Sequence, residues 1–209
     1  MKKQLLDVIV IGSGGLAREF TSYFSSQVNV IGYCTNSVAS ASELGLQGEI
    51  FGPNIAFNSS PTDNLVLAIA SPEKKKLIYS EFTSKGFVFP SIRHSSSIIS
   101  SSAVLDQGVV VSPMTIVGPN VSIGSCCYLN SQVGVGHDCT IGSFTQINPG
   151  VQVGGGSVVL GESILGSNST LLQNTFLEKK IQIGAGAIVL GKKLRVGTIT
   201  PSFSKYLPF

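Results

Sequence analysis

The chain has 209 residues, of which 43% are hydrophobic and only 12% are charged. This length fits one large domain or two small ones, and this hydrophobicity excludes an intrinsically disordered chain. The formal net charge of +3 is too small to indicate a nucleic-acid-binding surface. The longest apolar runs are too short for a membrane-spanning helix, so no membrane insertion is expected.

The N-terminal segment and the few histidines and cysteines indicate the expected location, redox state and metal content of the protein. The start resembles a signal peptide, but the apolar run at 5–11 ends at Gly12 without a cleavage site. The two histidines cannot form a three-histidine zinc site within one chain. The four cysteines lack Cys-x-x-Cys spacing, which predicts neither a zinc site nor a disulfide framework. We therefore expect a reduced, soluble, cytoplasmic protein without a metal. The cysteines are Cys34, Cys126, Cys127 and Cys139.

Residues 1–90 alternate between strand and helix patterns. The apolar run at 7–11 predicts a strand buried on both faces, followed by a glycine-rich loop at 12–15 and a helix over 16–24. Further strands are expected at 28–33 and 64–70. A second helix is expected from Pro72 to just before Gly86, and a last short strand at 87–89. The pattern predicts a small Rossmann-like α/β domain, about half of a full dinucleotide-binding fold.

A different rule governs the chain from residue 99, where every sixth residue is aliphatic. Sixteen consecutive positions obey it, which indicates hexapeptide repeats in which three short strands make one turn of a triangular prism. We expect a parallel β-helix of about five coils, in a second domain over residues 91–209 with a short C-terminal tail. The aliphatic positions are Ile99, Leu105, Val111, Val117, Ile123, Leu129, Val135, Ile141, Ile147, Val153, Val159, Leu165, Leu171, Leu177, Ile183 and Val189.

The third residue after each aliphatic belongs at a corner of the prism. Glycine, asparagine and aspartate recur there, and these residue types tolerate positive φ. We therefore expect left-handed backbone at this position of the repeat. The residues concerned are Gly108, Asn120, Asp138, Gly150, Gly156, Asn168, Asn174 and Gly186.

Eighteen residues make one coil, so residues eighteen apart stack at the strand spacing of roughly 4.8 Å. His137 then lies at a corner between Pro119 on one neighbouring coil and Gly155 on the other, beside Gly156. The missing side chains on that coil leave space and backbone N–H groups next to the imidazole, as a reacting carbonyl needs.

The same stacking places Asn120 one coil from Asp138 and predicts an internal amide ladder between Asn130 and Asn148.

The segment 130–142, with sequence NSQVGVGHDCTIG, together with 148–150 and 153–155, closely resembles the bacterial sugar acyltransferases of the sialic-acid O-acetyltransferase and nucleotide-sugar N-acetyltransferase group (NeuD/PglD type). The loop at 10–15 is similar to that family's amino-terminal nucleotide-binding loop, so the resemblance covers nearly the whole chain. It implies a left-handed parallel β-helix behind the Rossmann-like domain.

The resemblance also implies roles at the histidine. His137 would act as general base on an amine or hydroxyl that attacks an acetyl thioester. Asp138 would orient the imidazole and raise its basicity, although its turn position favours aspartate for backbone reasons alone. The backbone N–H near Gly155 would bind the carbonyl oxygen, and Asn130 would help to position the acceptor.

The family pattern assigns further residues to the two ligands. Ser167 and Ala185 match positions that line the coenzyme A channel, and Gln146 stands where some relatives carry a second, coenzyme-contacting histidine. Such enzymes are homotrimers with active sites between adjacent prisms, and the resemblance implies the same assembly here.

The predicted acceptor residues lie in the first domain. The loop residues would hold a nucleotide, but Thr35 and Asn36 replace the paired aspartates with which relatives grip uridine. They offer neutral hydrogen bonds only. The loop residues are Gly12, Ser13, Gly14 and Gly15.

Three functions remain open from the sequence. The first is an acetyl-CoA-dependent acetyltransferase that modifies an amino group of a nucleotide-linked deoxyamino sugar for surface glycan synthesis. The second is an O-acetyltransferase that uses the same residues on a sialic-acid-like or other sugar hydroxyl. The third is a non-catalytic trimeric nucleotide-binding module in which the prism serves only for assembly.

Overall fold

The structure, a computed structural model, describes residues 5–37, 39–52, 60–191 and 193–195, and the backbone of 199–200. The chain divides into two compact units. The N-terminal unit contains the chain up to residue 70 together with 74–90. The second unit, called the prism below, contains 71–73 and the chain from 91 onward.

Within its described residues, the N-terminal unit is a parallel four-stranded sheet with two helices. The strands run in the order β3-β2-β1-β4. The order reverses between β1 and β4, and open α/β sheets bind ligands at the carboxyl ends of the strands at such a point. The elements are β1 (Leu6–Ile11), α1 (Gly15–Phe24), β2 (Val28–Cys34), β3 (Glu49–Phe51), β4 (Leu65–Leu67) and α2 (Pro72–Ser84).

The predicted elements of this unit are present with three differences. β3, which pairs with β2 through Tyr33 and Ile50, was not expected because its three residues contain only two apolar side chains. The strand expected at 64–70 is shortened to Leu65–Leu67. The strand expected at 87–89 is reduced to a single bridge between Asn64 and Val88. The central strand β1 is fully buried at Val8 and Ile9, as its apolar run predicts.

The prism is a left-handed parallel β-helix, which confirms the predicted fold. Face 1 has the order β21-β18-β15-β12-β9-β6, face 2 the order β22-β19-β16-β13-β10-β7, and face 3 the order β23-β20-β17-β14-β11-β8-β5. The strands are β5 (Ile92–Arg93), β6 (Ile98–Ile99), β7 (Val104–Leu105), β8 (Val110–Val111), β9 (Ile116–Val117), β10 (Ser122–Ile123), β11 (Tyr128–Leu129), β12 (Gly134–Val135), β13 (Thr140–Ile141), β14 (Gln146–Ile147), β15 (Gln152–Val153), β16 (Val158–Val159), β17 (Ile164–Leu165), β18 (Thr170–Leu171), β19 (Phe176–Leu177), β20 (Gln182–Ile183), β21 (Ile188–Val189), β22 (Lys193–Leu194) and β23 (Ile199–Thr200).

The register of the prism follows the predicted eighteen-residue coil. Tyr128 of β11 pairs with Val110 on one side and Gln146 on the other. The spacing falls to seventeen between Phe176 and Lys193, where the last repeats lose one residue. Within the described residues the β-helix runs from β5 to β23, slightly more than six coils rather than the expected five, because it begins before residue 99 and continues past Val189.

The aliphatic positions form the core of the prism. Fourteen of the sixteen are buried, and Ile99 and Leu105, in the first coils, are partly buried. The aliphatic residues share the interior with the residues two places before them, such as Val121 and Val151, and the adjacent residue of each strand alternates to the other side. On face 3 three of these adjacent residues are nevertheless buried, namely Val110, Tyr128 and Gln146.

The corner backbone is left-handed at all eight predicted positions, where φ lies between 55° and 72°. Six residues of other types adopt the same conformation at equivalent positions, with φ between 52° and 61°. From the turn after Leu105 to the turn after Ile183, the fold thus imposes positive φ on this position whatever residue occupies it. The six are Met114, Cys126, Gln132, Phe144, Glu162 and Lys180.

Close approach, rather than backbone conformation, explains the glycines that directly follow the aliphatic residues. A methyl group on Gly166 would lie 2.5 Å from Ala185 N, and one on Gly154 would lie 2.6 Å from Gln173 N. The next coil passes too near at these points to admit a side chain.

Candidate active site

His137 lies at the edge where face 1 turns into face 2. This edge, called the histidine edge below, is formed by the turns 118–120, 136–138, 154–156 and 172–174. The side chain of His137 is 62% exposed, so the ring stands at the surface as the sequence predicts. The ring is attached to a rigid turn, because Asp138 N donates to Pro119 O at 2.9 Å and Gly156 N donates to His137 O at 2.9 Å.

Asp138 holds one nitrogen of the imidazole. Its Oδ2 lies 2.7 Å from His137 Nδ1, and its Oδ1 accepts a hydrogen bond of 3.0 Å from Asn120 Nδ2. These hydrogen bonds, from Asn120 first and then from His137, lower the pKa of the Asp138 carboxyl below its usual value. An ionised carboxylate only accepts hydrogen bonds, so in the neutral form of the imidazole Nδ1 carries the hydrogen and Nε2 presents a lone pair.

The imidazole lies directly against Gly155 of the neighbouring coil. A methyl group on Gly155 would lie 2.6 Å from His137 Nε2 and 2.8 Å from Cε1. Only glycine at this position therefore allows the ring to occupy its place. The space that the sequence predicts beside the histidine is filled in part by the imidazole itself.

Gly155 also offers an unused backbone donor. Its carbonyl accepts from Asn174 N at 3.0 Å, whereas its N–H donates to no other residue among those that the structure describes. A methyl group on Gly136 would lie 2.7 Å from this nitrogen. The absence of a side chain at Gly136 therefore keeps the donor uncovered, a role that the repeat pattern alone did not assign.

A cleft of about 850 Å³ opens on face 1 along the histidine edge. Gly136 and Gly154 line it next to His137, and the exposed side chains of Leu172 and Leu190 line it further along the prism. Its volume lies within the range of small-molecule sites. The imidazole thus stands at the rim of a cleft that is mostly apolar.

The predicted coenzyme residues lie elsewhere on the same prism. Ser167 and Ala185 occupy consecutive coils at the edge between face 3 and face 1. Gln146 lies on face 3, where its side chain is only 1% exposed and its Nε2 donates to Asn148 Oδ1 at 3.2 Å. A single chain therefore does not bring these three residues to His137.

Asn130 lies at the other end of β12 from His137. Its side chain is buried, and its Oδ1 accepts a hydrogen bond of 2.7 Å from Ser131 N. The amide ladder with Asn148 was predicted wrongly, because each amide oxygen instead accepts a hydrogen bond within its own coil.

The glycine loop and the end of β2 meet in the N-terminal unit. Ser13 Oγ and Thr35 Oγ1 lie 2.8 Å apart, and Gly14 caps the start of α1, which begins at Gly15. Gly12 has φ of 118°, and a methyl group there would lie 2.7 Å from Ala68 O, so a side chain is excluded at this point.

A second cavity of about 270 Å³ lies beside this loop. Thr35, Asn36, Glu81 and the ring of Phe82 line it. The sequence indicated only neutral groups at the end of β2, but the structure adds a carboxylate from α2. Glu81 was missed because it is remote from Thr35 in the sequence and because its i,i+4 pairing with Lys85 resembles an ordinary helix-surface ion pair.

The described part of the chain contains no helix long and apolar enough to cross a membrane. Within the same residues, no three histidine, cysteine or acidic side chains lie close enough together to hold a metal ion.

Three solved structures illustrate the likeness of this architecture to known proteins. The acetyltransferase domain of PglB from Neisseria gonorrhoeae FA1090, in complex with acetyl coenzyme A, superposes with a TM-score of 0.84 at 20% identity, over 95% of this chain and 97% of that one. The chain shares their fold. No protein-family model matches the sequence.

Two further solved structures superpose on nearly the whole chain. GDP-perosamine N-acetyltransferase from Caulobacter crescentus, a variant with one histidine replaced by alanine and in complex with CoA and GDP-perosamine, gives a TM-score of 0.83 at 19% identity over 96% of each chain. WeeI from Acinetobacter baumannii AYE gives 0.72 at 18% identity over 94% of this chain and 96% of that one. The fold that the sequence resemblance implied is therefore confirmed over both units.

Proposed function

We propose that this chain is an acetyl-CoA-dependent acetyltransferase that acts in the cytoplasm on an amino group of a nucleotide-linked deoxyamino sugar, for surface glycan synthesis. One observation carries the proposal. His137 Nδ1 is bonded to Asp138 while Nε2 lies over Gly155, at the rim of a cleft. The shared fold with acetyltransferases that bind CoA supports the same chemistry.

His137 serves as general base in this proposal. Its Nε2 takes the proton of the attacking amine as the nitrogen bonds to the thioester carbonyl carbon. Asp138 keeps the imidazole in the tautomer that leaves Nε2 free and stabilises the imidazolium that forms. When the carbon–sulfur bond breaks, the imidazolium returns the proton to the departing thiolate, so the base is restored.

The Gly155 N–H stabilises the oxyanion that forms on the carbonyl oxygen. It is held rigidly by the coil and is not used by another described residue. A fixed donor of this kind needs no reorganisation as charge develops, and removing one costs enzymes about 10²–10³ in kcat. Gly136 and Gly154 leave room for the thioester to reach it.

The proposed site requires a second copy of the chain. His137 and the predicted coenzyme residues Ser167 and Ala185 occupy different edges of one prism. In a homotrimer with parallel prisms, the histidine edge of one protomer faces another edge of its neighbour. The cleft on face 1 would then take the pantetheine arm, whose amides and methylenes suit a lining of leucine and glutamine side chains.

The N-terminal unit would hold the nucleotide of the acceptor. Its loop lies at the switch point of the sheet, and the adjoining cavity offers the Thr35 hydroxyl, the Asn36 amide and the Glu81 carboxylate. These groups can bind ribose hydroxyls and the N–H groups of a base.

The decisive experiment replaces His137 by alanine. We expect a loss in kcat of about 10²–10⁴-fold, with coenzyme A binding and the trimer retained. The matched control is His94→Ala, the other histidine of the chain, which should keep full activity. Full turnover by His137→Ala would overturn the proposal.

The assay compares a 4-amino nucleotide sugar with free sialic acid, because the same base and N–H group would serve a hydroxyl acceptor. Acetylation of the sialic acid alone would replace the amino acceptor by an O-acetylation substrate.

Calorimetry with coenzyme A tests the alternative of a non-catalytic trimeric nucleotide-binding module. The absence of any binding isotherm would favour a non-catalytic assembly module.

A further inference from the structure

Asn120 is the residue that holds Asp138 from the side opposite to His137. Its Nδ2 donates to Asp138 Oδ1 at 3.0 Å, while Oδ2 of the same carboxylate lies 2.7 Å from His137 Nδ1. The three side chains form a continuous line across two coils. Among the described residues, the side chain of Asn120 forms no hydrogen bond to Gly155 or to the cleft lining, so any effect on catalysis must pass through Asp138.

The backbone fixes the position of this amide. Asn120 has φ of 58°, and its N–H donates to Ser102 Oγ at 3.0 Å on the preceding coil. Asp138 sits at the equivalent corner, with φ of 57°. Both side chains leave consecutive coils from the same corner, so the amide and the carboxylate face each other at the strand spacing.

The hydrogen bond from Asn120 restricts the rotation of the Asp138 side chain. That side chain is 56% exposed, so the carboxylate is accessible to solvent. A carboxylate held at one oxygen only can rotate about its χ angles and release the imidazole. With Oδ1 fixed by the amide, Oδ2 is directed at Nδ1. The lowered pKa of Asp138, to which the Asn120 hydrogen bond contributes most, agrees with this arrangement.

We propose that Asn120 is a positioning residue, which orients the Asp138 carboxylate so that His137 keeps its hydrogen on Nδ1 and its lone pair on Nε2 over Gly155. This inference rests on the proposed function for its kinetic consequence only. The Nδ1-protonated tautomer is a property of the free protein and can be observed whether or not the acceptor is known.

Two substitutions separate this role from a structural one. Asn120→Gly removes the amide and keeps a residue that tolerates positive φ, so the turn remains stable. Asn120→Asp keeps size and turn preference but sets a second carboxylate against Asp138. If Asn120 matters only for the turn, both variants should behave like the unsubstituted chain.

The matched control is Asn168→Gly. Asn168 is also exposed and left-handed, with φ of 55°, but it lies at the edge between face 3 and face 1. The same chemical change is thus made at an equivalent corner away from the histidine edge. It should leave the tautomer of His137 unaltered.

The first measurement is ¹⁵N NMR of the imidazoles, which is simple because the chain has two histidines and His94→Ala assigns the signals. We expect the unsubstituted chain and Asn168→Gly to show the Nδ1-protonated form at neutral to mildly alkaline pH. Asn120→Gly should shift the signals toward the average of two tautomers, and Asn120→Asp should do so further. Identical signals in all variants would overturn the inference.

The second measurement is steady-state kinetics. We expect kcat to fall about tenfold in Asn120→Gly and further in Asn120→Asp, with the KM for acetyl-CoA unchanged, because no binding contact is lost. A raised KM at constant kcat would also overturn it. If no chain variant turns over any acceptor, the proposed function fails, and the NMR result still decides the role of Asn120.

Discussion

The prism and the N-terminal unit differ in how directly their sequence specifies their structure. In the prism a single six-residue register predicts the buried side chain of each strand from β8 to β20 and the left-handed corner that follows it. In the N-terminal unit the strand β3 was not foreseen, and the strand expected at 87–89 is one bridge. The same kind of pattern analysis thus succeeded in one unit and partly failed in the other.

The two units differ in this respect because their paired strands lie at different separations in the sequence. From β5 to β21 the strands of the prism pair with strands eighteen residues away, so a local repeat determines each neighbour. In the N-terminal unit β1 pairs with β2 at separations of 22 to 23 residues and with β4 at a separation of 56, and no period relates these separations. Long-range pairs of this kind are selected by the whole unit rather than by the local pattern.

The largest expected effect tests whether the register alone predicts stability. Leu165 is fully buried inside the prism, and Leu165→Ala should lower the free energy of unfolding by about 2–5 kcal/mol. Leu160 is 41% exposed, and Leu160→Ala should cost less than about 1 kcal/mol. Urea denaturation of both variants gives the comparison. Equal losses would show that the six-residue register does not separate core from surface.

The next effect concerns the ring of His137. Gly155→Ala keeps the backbone N–H but places a methyl group 2.6 Å from Nε2, so the imidazole must move. A displacement of about 1 Å in a catalytic group reduces kcat by about 10²-fold. Gly52→Ala, where a methyl group meets no atom within 4 Å, is the control for kcat and thermal stability. Normal turnover by Gly155→Ala would place the reacting groups elsewhere.

A smaller effect is expected in the N-terminal unit. Thr35→Val keeps the shape of the side chain but removes the hydroxyl that lies 2.8 Å from Ser13 Oγ. We expect the KM for the nucleotide sugar to rise about fivefold at constant kcat, since one hydrogen bond contributes about 1 kcal/mol. Thr83→Val, an exposed position on α2, is the matched control. An unchanged KM would remove Thr35 from the acceptor site.

The smallest effect is a pH dependence of stability. Folding lowers the pKa of Asp138, so its carboxylate stabilises the folded chain above the ordinary pKa of aspartate, and this contribution disappears as the pH falls through the lowered value. The Tm difference between the unsubstituted chain and Asp138→Asn should therefore be present at pH 7 and vanish in strong acid. A difference that grows as the pH falls would contradict the assigned direction.

In the candidate site, some features follow from the six-residue repeat and others depend on side-chain contacts that the repeat does not predict. The register correctly placed His137 at a corner beside Gly155, and the resemblance named Asp138 as its partner. The contribution of Gly136, whose missing side chain uncovers the Gly155 N–H, could have been noticed from the same stacking map. The direction of the Asn120 amide could not have been predicted in this way. Stacking by eighteen residues shows on which coil a residue lies but not which rotamer its side chain adopts.

The sequence by itself determined the β-helix, its interior and the corner that carries the histidine, because each of these follows from one short period repeated along the chain. Only the tertiary structure decided that the imidazole packs on Gly155, that Asn120 and His137 share one carboxylate, and that Glu81 joins Thr35 at one cavity. Such contacts depend on side-chain rotamers and on helices that meet strands distant in sequence. No local periodicity encodes them.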